Sequence, residues 1–271
     1  MHKNYMPKSL SPEIRGLILD MDGVLWKDTS PIGDLSRVFN AMRLQGLKVV
    51  LATNNATMTI DDYVRKLAGF GVTVEAWQII TSAQAVAASL LKAYPEKGSI
   101  YVLGEAGIIS ALSEVGFGSI TDPNDETPVV AVVAGIDRAL SYDKLRRAMF
   151  HIRGGAGFYG TNPDATFPTP AGLVPGAGSI LAALQTASNT QPIVVGKPAP
   201  FMFELCADRM KLDMNAILVV GDRLETDISG GQAVGARTAL VLSGVSLAEQ
   251  AERWRPRPDL IASDLATLVG A

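Results

Sequence analysis

Along its length the chain alternates short apolar runs with amphipathic stretches. The first run, Leu17-Ile18-Leu19, stops abruptly at Asp20-Met21-Asp22-Gly23. A short continuous apolar run bounded by a turn signal is the pattern of a strand buried in a parallel sheet. The spacing next predicts a helix over 35–44, a strand over 47–52, a helix over 61–67 and an apolar segment at 77–80. A second series follows: helix 82–94 behind an N-cap candidate, strand 99–103, helix 106–115, strand 129–134, helix 142–152 and strand 157–161. The Gly- and Pro-rich stretch 162–178 reads as a loop and a boundary. Beyond it come helix 179–187, strand 192–195, helix 200–211, strand 216–220, helix 226–234, strand 238–242, a short segment near Leu260 and a closing helix. Strands alternating with helices build parallel sheets covered by helices. The expected organisation is therefore α/β in two nested parts, a core from 1–80 and 179–271 and an inserted domain over 81–178. Residues 1–15 read as a tail.

Composition narrows the function classes. Of 271 residues, 48% are hydrophobic and 19% charged, the balance of a folded chain with a substantial core. A net charge of -3 provides no basic footprint for nucleic acid or an anionic membrane. The first fifteen residues lack the apolar segment of a signal peptide, and no run is long enough to span a bilayer. The single cysteine, Cys206, excludes an internal disulfide, reads as core packing, and suits a reducing, cytoplasmic setting. His2 and His151 cannot build a zinc site, and His151 reads as a charge compensating a helix C-terminus. Gly155-Ala156-Gly157-Phe158-Tyr159-Gly160 fits a dinucleotide-binding pattern but follows a helix and enters a strand, the reverse of what that site needs.

The chemistry gathers at strand ends. In an open α/β sheet ligands bind outside the carboxyl ends of the strands. Asp20 and Asp22 stand at the first such end, where alternation of side chains should place them on one side. Two carboxylates this close call for a cation, and magnesium takes oxygen ligands of this kind together with substrate phosphate. Thr53-Asn54-Asn55, Lys197, and Gly221-Asp222 with Asp227 occupy three further expected strand ends. Together they have the parts for phosphoryl transfer: an aspartate to attack phosphorus, a second acid to move the proton, and a hydroxyl, amides and a lysine to hold the oxygens. Taken singly, each has a plainer reading: Thr53, Asn54 and Asp227 as helix caps, Lys197 as a solvated lysine. Four in order at four strand ends exceed those readings.

Asp20-Met21-Asp22-Gly23-Val24, Thr53-Asn54-Asn55, Val195-Gly196-Lys197-Pro198 and Gly221-Asp222 with Asp227 resemble the four motifs of the haloacid dehalogenase (HAD) superfamily. The insertion, with Gly160-Thr161-Asn162-Pro163-Asp164, is similar to that of the NagD-like, p-nitrophenylphosphatase-type members. The resemblance implies a Rossmann-like core with an inserted α/β cap, and a magnesium-dependent phosphatase acting on a small phosphate ester through an aspartyl phosphate. It further implies Asp20 as nucleophile, Asp22 as general acid and base, and Thr53, Asn54 and Asn55 on the substrate with Lys197 neutralising it. The metal would be held by Asp20, the main-chain carbonyl of Asp22, and Asp222, with Asp227 in support. Pairing of two copies through the cap is a further expectation. A phosphotransferase or phosphomutase of the same fold, or a receiver-like phospho-aspartate protein, are the alternatives.

Overall fold

The computed structural model describes residues 10–169 and 172–271; the first nine residues, His2 and most of the expected tail among them, and 170–171 lie outside the described residues. The chain separates into two compact units. One takes the chain up to Thr53, Tyr63–Ile80 and Lys197–Ala271; the other takes Asn54–Asp62 and Thr81–Gly196. Among the described residues, no helix is long and apolar enough to cross a membrane.

In the first unit six strands lie in the order Leu260–Ala262, Arg237–Val241, Ile217–Gly221, Gly16–Leu19, Lys48–Thr53 and Ile79–Thr81. The pairings from Leu260–Ala262 through Lys48–Thr53 are parallel. Gly16–Leu19 is central and buried along its whole length, which is why it reads as an unbroken apolar run rather than an alternating one. Its register sets Leu19 level with Val220 on one side and Leu51 on the other. The next residues, Asp20, Gly221 and Ala52, thus reach the same edge together. Helix Leu35–Leu44 is capped by the Asp34 side chain and buries Leu35, Val38 and Met42, one face at helical spacing. Helix Pro200–Met210 starts on its proline and buries Cys206, whose thiol is pushed up to about 12 by burial. Cys206 is core packing, as expected.

The second unit holds a five-stranded parallel sheet in the order Ile193–Val194, Gly157–Gly160, Ala131–Ala134, Ser99–Leu103 and Gly118–Ile120. Here the expected boundary is displaced. The strand anticipated at 192–195 for the core sheet pairs with Gly157–Gly160 instead. Helix Ala177–Ser188 sends Ile180, Leu181 and Leu184 into the same cluster as Phe158 and Val132. Both therefore belong to the second unit, which runs to Gly196 rather than ending at 178. Alternation of strands and helices shows that a strand exists but not which sheet completes its hydrogen bonds. Gly118–Ile120, short and largely unburied, gave no pattern to read.

The expected loop 162–178 is also more ordered than its composition suggests. Thr166–Thr169 and Gly172–Pro175 pair as an antiparallel hairpin. Gly178 donates to the carbonyl of Asp164 at 2.9 Å, and a Cβ there would overlap the Pro163 carbonyl. The glycine serves close approach of backbones, not mobility. Gly155–Gly160 leaves helix Tyr142–Arg153 and forms a strand, so it opens no dinucleotide site. His151 lies in the last turn of helix Tyr142–Arg153, as expected, but half-buried: its ring packs 5.2 Å from that of Tyr101, and burial first, then Arg147, pushes its pKa down, which works against a charge-compensating role.

Gly178→Ala should cost about 1–3 kcal/mol through overpacking against backbone that cannot yield. A urea midpoint equal to that of the parent chain would show that the approach is not tight.

Candidate active site

The first unit brings Asp20, Lys197, Asp222 and Asp227 together. Asp20 follows the central strand and is fixed by its own N–H, which donates to the Val220 carbonyl at 2.9 Å. Lys197 is 3% exposed and its ammonium makes three bonds: to Asp20 Oδ1 at 2.6 Å, to Asp227 Oδ1 at 2.6 Å, and to the Ala52 carbonyl at 2.9 Å. It enters the first unit directly after the edge strand of the other sheet, not from the end of a core strand as its motif suggested. Burial of so many partners has a clear electrostatic result. Burial raises Asp20 well above the ordinary value of 3.8, outweighing the neighbouring ammonium, with Asp227 and Asp222 adding to the rise. Lys197 responds oppositely: burial lowers its pKa, but the two carboxylates prevail and raise it above 10.5.

Asp222 follows strand Ile217–Gly221 and sits against bare backbone. Its Oδ2 accepts the Val245 N–H at 2.8 Å. A Cβ on Gly23 or Gly244 would overlap its carboxylate, and one on Gly221 would overlap Asp227. These glycines are required by space, and Gly23 additionally takes φ +83°, where side chains are strained. Asp222 is pushed up to about 6, by burial first and then by Asp227. Asp227 is carried back toward the strand by the wide turn Leu224–Ile228. Its Oδ2 accepts the Arg223 N–H at 3.2 Å, so protein donors occupy both of its oxygens.

One oxygen from each of Asp20, Asp222 and Asp227 lies within 4.8 Å of the others. Asp222 Oδ1 is buried with no hydrogen bond among the described residues. Orphaned buried carboxylate oxygens are costly unless a cation meets them. The donor set is all oxygen and doubly acidic at its open positions, which suits a hard divalent ion such as magnesium. Since the Asp227 oxygens are engaged, Asp20 and Asp222 are the residues best able to ligate it, and Asp227 orients Lys197.

Asp22 is not in this cluster. The strand ends at Leu19, so strand alternation does not govern residues 20–22. Met21 is buried, Asp22 is exposed, and its carboxylate accepts the indole N–H of Trp26 at 2.8 Å. Its carboxylate therefore takes no part in the cluster. Thr53 closes strand Lys48–Thr53 and is buried in the first unit. Asn54 and Asn55 belong to the second. There the Asn54 carbonyl accepts Ser82 Oγ at 2.6 Å and Asn162 Nδ2 at 2.8 Å, while its own Nδ2 donates to Asp164 at 3.4 Å. Asn55 Oδ1 accepts both the N–H and the hydroxyl of Thr57, which commits that oxygen to a local turn.

Sequence reasoning missed the segment Ser243–Ser246. Ser243 Oγ bonds the Gly23 carbonyl at 2.7 Å, Val245 holds Asp222, and Ser246 Oγ accepts the Leu224 N–H at 3.1 Å. The signal was there: the segment follows strand Arg237–Val241 at the same sheet edge and contains a glycine.

A family model described as haloacid dehalogenase-like hydrolase matches residues 17–118, and a HAD-hydrolase-like model matches 194–268. The chain is 35% identical to phosphoglycolate phosphatase 1A of Arabidopsis thaliana, covering 95% of this chain and 77% of that protein. Among solved structures, NagD from E. coli K-12 superposes with a TM-score of 0.84 at 32% identity, covering 93% of this chain and 97% of that one. Glycerol phosphate phosphatase Rv1692 from Mycobacterium tuberculosis, solved with magnesium, gives 0.88 at 33% identity, covering 97% and 78%.

Two outcomes are expected from this geometry. Gly244→Ala displaces the Asp222 carboxylate, so if the cluster binds Mg2+, the rise in thermal midpoint with Mg2+ should be largely lost in this variant. An undiminished Mg2+ response would detach Asp222 from metal binding. Lys197→Met leaves Asp20 and Asp227 buried without their cation, a loss of about 3–5 kcal/mol near neutral pH. Carboxyls whose folded pKa is raised contribute stability below their unfolded value and lose it as pH rises. The deficit of the variant should therefore shrink between pH 7 and pH 4, and a deficit constant over that range would contradict the assignment.

Proposed function

We infer the function from the premise that the chain belongs to the haloacid dehalogenase-like hydrolases, in their NagD-like, p-nitrophenylphosphatase-type branch. It is a phosphatase for small phosphorylated compounds. The finer reading is a magnesium-dependent phosphatase that works through an aspartyl phosphate on Asp20. The observation that carries it is the Asp20 carboxylate held at 2.6 Å by a buried lysine, beside an Asp222 oxygen that no donor among the described residues meets.

Asp20 attacks phosphorus with a carboxylate oxygen, forming an acyl phosphate as the bond from phosphorus to the ester oxygen breaks. Asp22 gives that departing oxygen a proton. Water then attacks the acyl phosphate while Asp22 takes its proton back, which releases inorganic phosphate and restores both residues. Lys197 fixes Asp20 and offers positive charge where the equatorial oxygens gather negative charge. Thr53 supplies a further donor to the phosphoryl group. Asp20, Asp222 and the Asp22 carbonyl would hold magnesium, which supplies the charge that lets a buried carboxylate and a phosphate dianion meet. Relatives named for phosphoglycolate and glycerol phosphate suggest a two- or three-carbon ester as substrate. The buried single thiol suits a reducing cytoplasm.

Rapid-quench mass spectrometry tests the order of events. With p-nitrophenyl phosphate, whose leaving group departs without an acid, Asp22→Ala should accumulate one phosphoryl group. The double variant that also carries Asp20→Asn should accumulate none. Absence of any phosphoenzyme in the single variant would favour direct attack by water. Phosphate appearing on a second alcohol rather than in solution would make the enzyme a transferase.

A further inference from the structure

We propose that Trp26 is a positioning residue for Asp22: its indole N–H occupies one carboxylate oxygen and so assigns the transferable proton to the other. The inference rests on the reading of Asp22 as general acid and base given above.

The turn that follows Asp20 is built to bring residue 26 back onto residue 22. The N–H groups of Val24, Leu25 and Trp26 converge on the Met21 carbonyl at 3.3, 2.8 and 3.3 Å, and the Gly23 N–H donates to the Trp26 carbonyl at 2.7 Å. Asp22 and Trp26 thereby form an isolated bridge. Across it the indole N–H reaches Asp22 Oδ1 at 2.8 Å, a well-formed bond.

The donor cannot move. Trp26 is wholly buried. Its ring stacks on Tyr63 with centroids 6.4 Å apart and lies 6.0 Å from Phe70. The Lys66 ammonium sits 4.0 Å from its centroid and is itself tied to the Asp28 carbonyl at 3.0 Å. An exposed aspartate left to itself visits several rotamers. Here a rigid aromatic wall fixes it.

The chemistry of indole makes this more than a staple. Its N–H only donates and does not titrate in the working range. Asp22 Oδ1 must therefore remain an acceptor whether the carboxyl is neutral or ionised. The proton of the neutral acid is left to Oδ2, which has no hydrogen bond among the described residues. The same oxygen serves both half-reactions, as acid toward the leaving oxygen and as base toward water. A donor that could also accept, such as a hydroxyl or an amide, would let the proton divide between the two oxygens.

The test is kcat/KM, which reports steps up to phosphoenzyme formation, across esters whose leaving groups run from p-nitrophenol to glycerol. Trp26→Phe keeps the ring and removes the N–H. Benzothienylalanine at position 26 keeps the bicyclic volume as well, and carries the test should the phenylalanine variant fold poorly. Either change should leave p-nitrophenyl phosphate within about twofold while lowering glycerol phosphate about tenfold or more, so that the leaving-group dependence steepens. A purely structural role would lower every ester by one factor. That result, or an unchanged slope, overturns the proposal. Asp22→Ala is the reference for the underlying reading. If it steepens the slope and the Trp26 variants do not, only this inference falls. If it does not steepen the slope, Asp22 is not the acid and both readings fall.

Discussion

A buried ammonium bonded to two buried carboxylates is the interaction on which the rest of this site depends. Asp20, Asp222 and Asp227 crowd one edge of a parallel sheet, with an oxygen of each within 4.8 Å of the others. Unopposed, three such charges could not ionise together out of water. Lys197 removes part of the conflict by binding Asp20 and Asp227 at once. It does not remove all of it: Asp20 stays raised, Asp222 is raised to about 6, and one Asp222 oxygen has no donor among the described residues. The residual deficit of positive charge is what a divalent ion would offset. The site is thus electrostatically unfinished until a cation is bound.

Backbone without side chains is the second constraint. Asp222 lies against Gly23 and Gly244, and Asp227 against Gly221, each at a distance that no Cβ would allow. Those three glycines come from segments far apart in sequence, and each follows or flanks a strand end. The sheet register that sets Leu19 level with Leu51 and Val220 makes their convergence possible. A shift of one residue in any of these pairings would turn the acids away from one another.

The two opening aspartates are separated by environment. Asp20 is nearly enclosed, its carboxylate held in one orientation by a buried lysine. Asp22 is exposed and held by one oxygen to a rigid indole, with no hydrogen bond to the other among the described residues. Two residues apart in sequence, they meet different surroundings because the strand ends at Leu19 and the chain turns between them.

Much of this was determined by the sequence alone. The apolar runs located the strands because a strand buried on both faces cannot carry polar side chains, and the helix Leu35–Leu44 was visible from its spacing. Asp20, Asp222 and Asp227 were legible because a parallel sheet collects strand ends whatever their separation along the chain; Lys197 was legible from its motif, although the strand before it belongs to the other sheet. Other features had no local signature. Ile193–Val194 joined the second sheet because its hydrogen bonds are completed by Gly157–Gly160, a partner that no local pattern names. The 166–175 hairpin hid behind glycines that serve tight packing, while Asp22 turned from the acid cluster because a residue four positions on offered a fixed donor. Periodicity and composition record what each residue needs from its surroundings. Only the tertiary structure decides which neighbour supplies it, since hydrogen bonding, close approach and shared burial depend on residues distant in sequence.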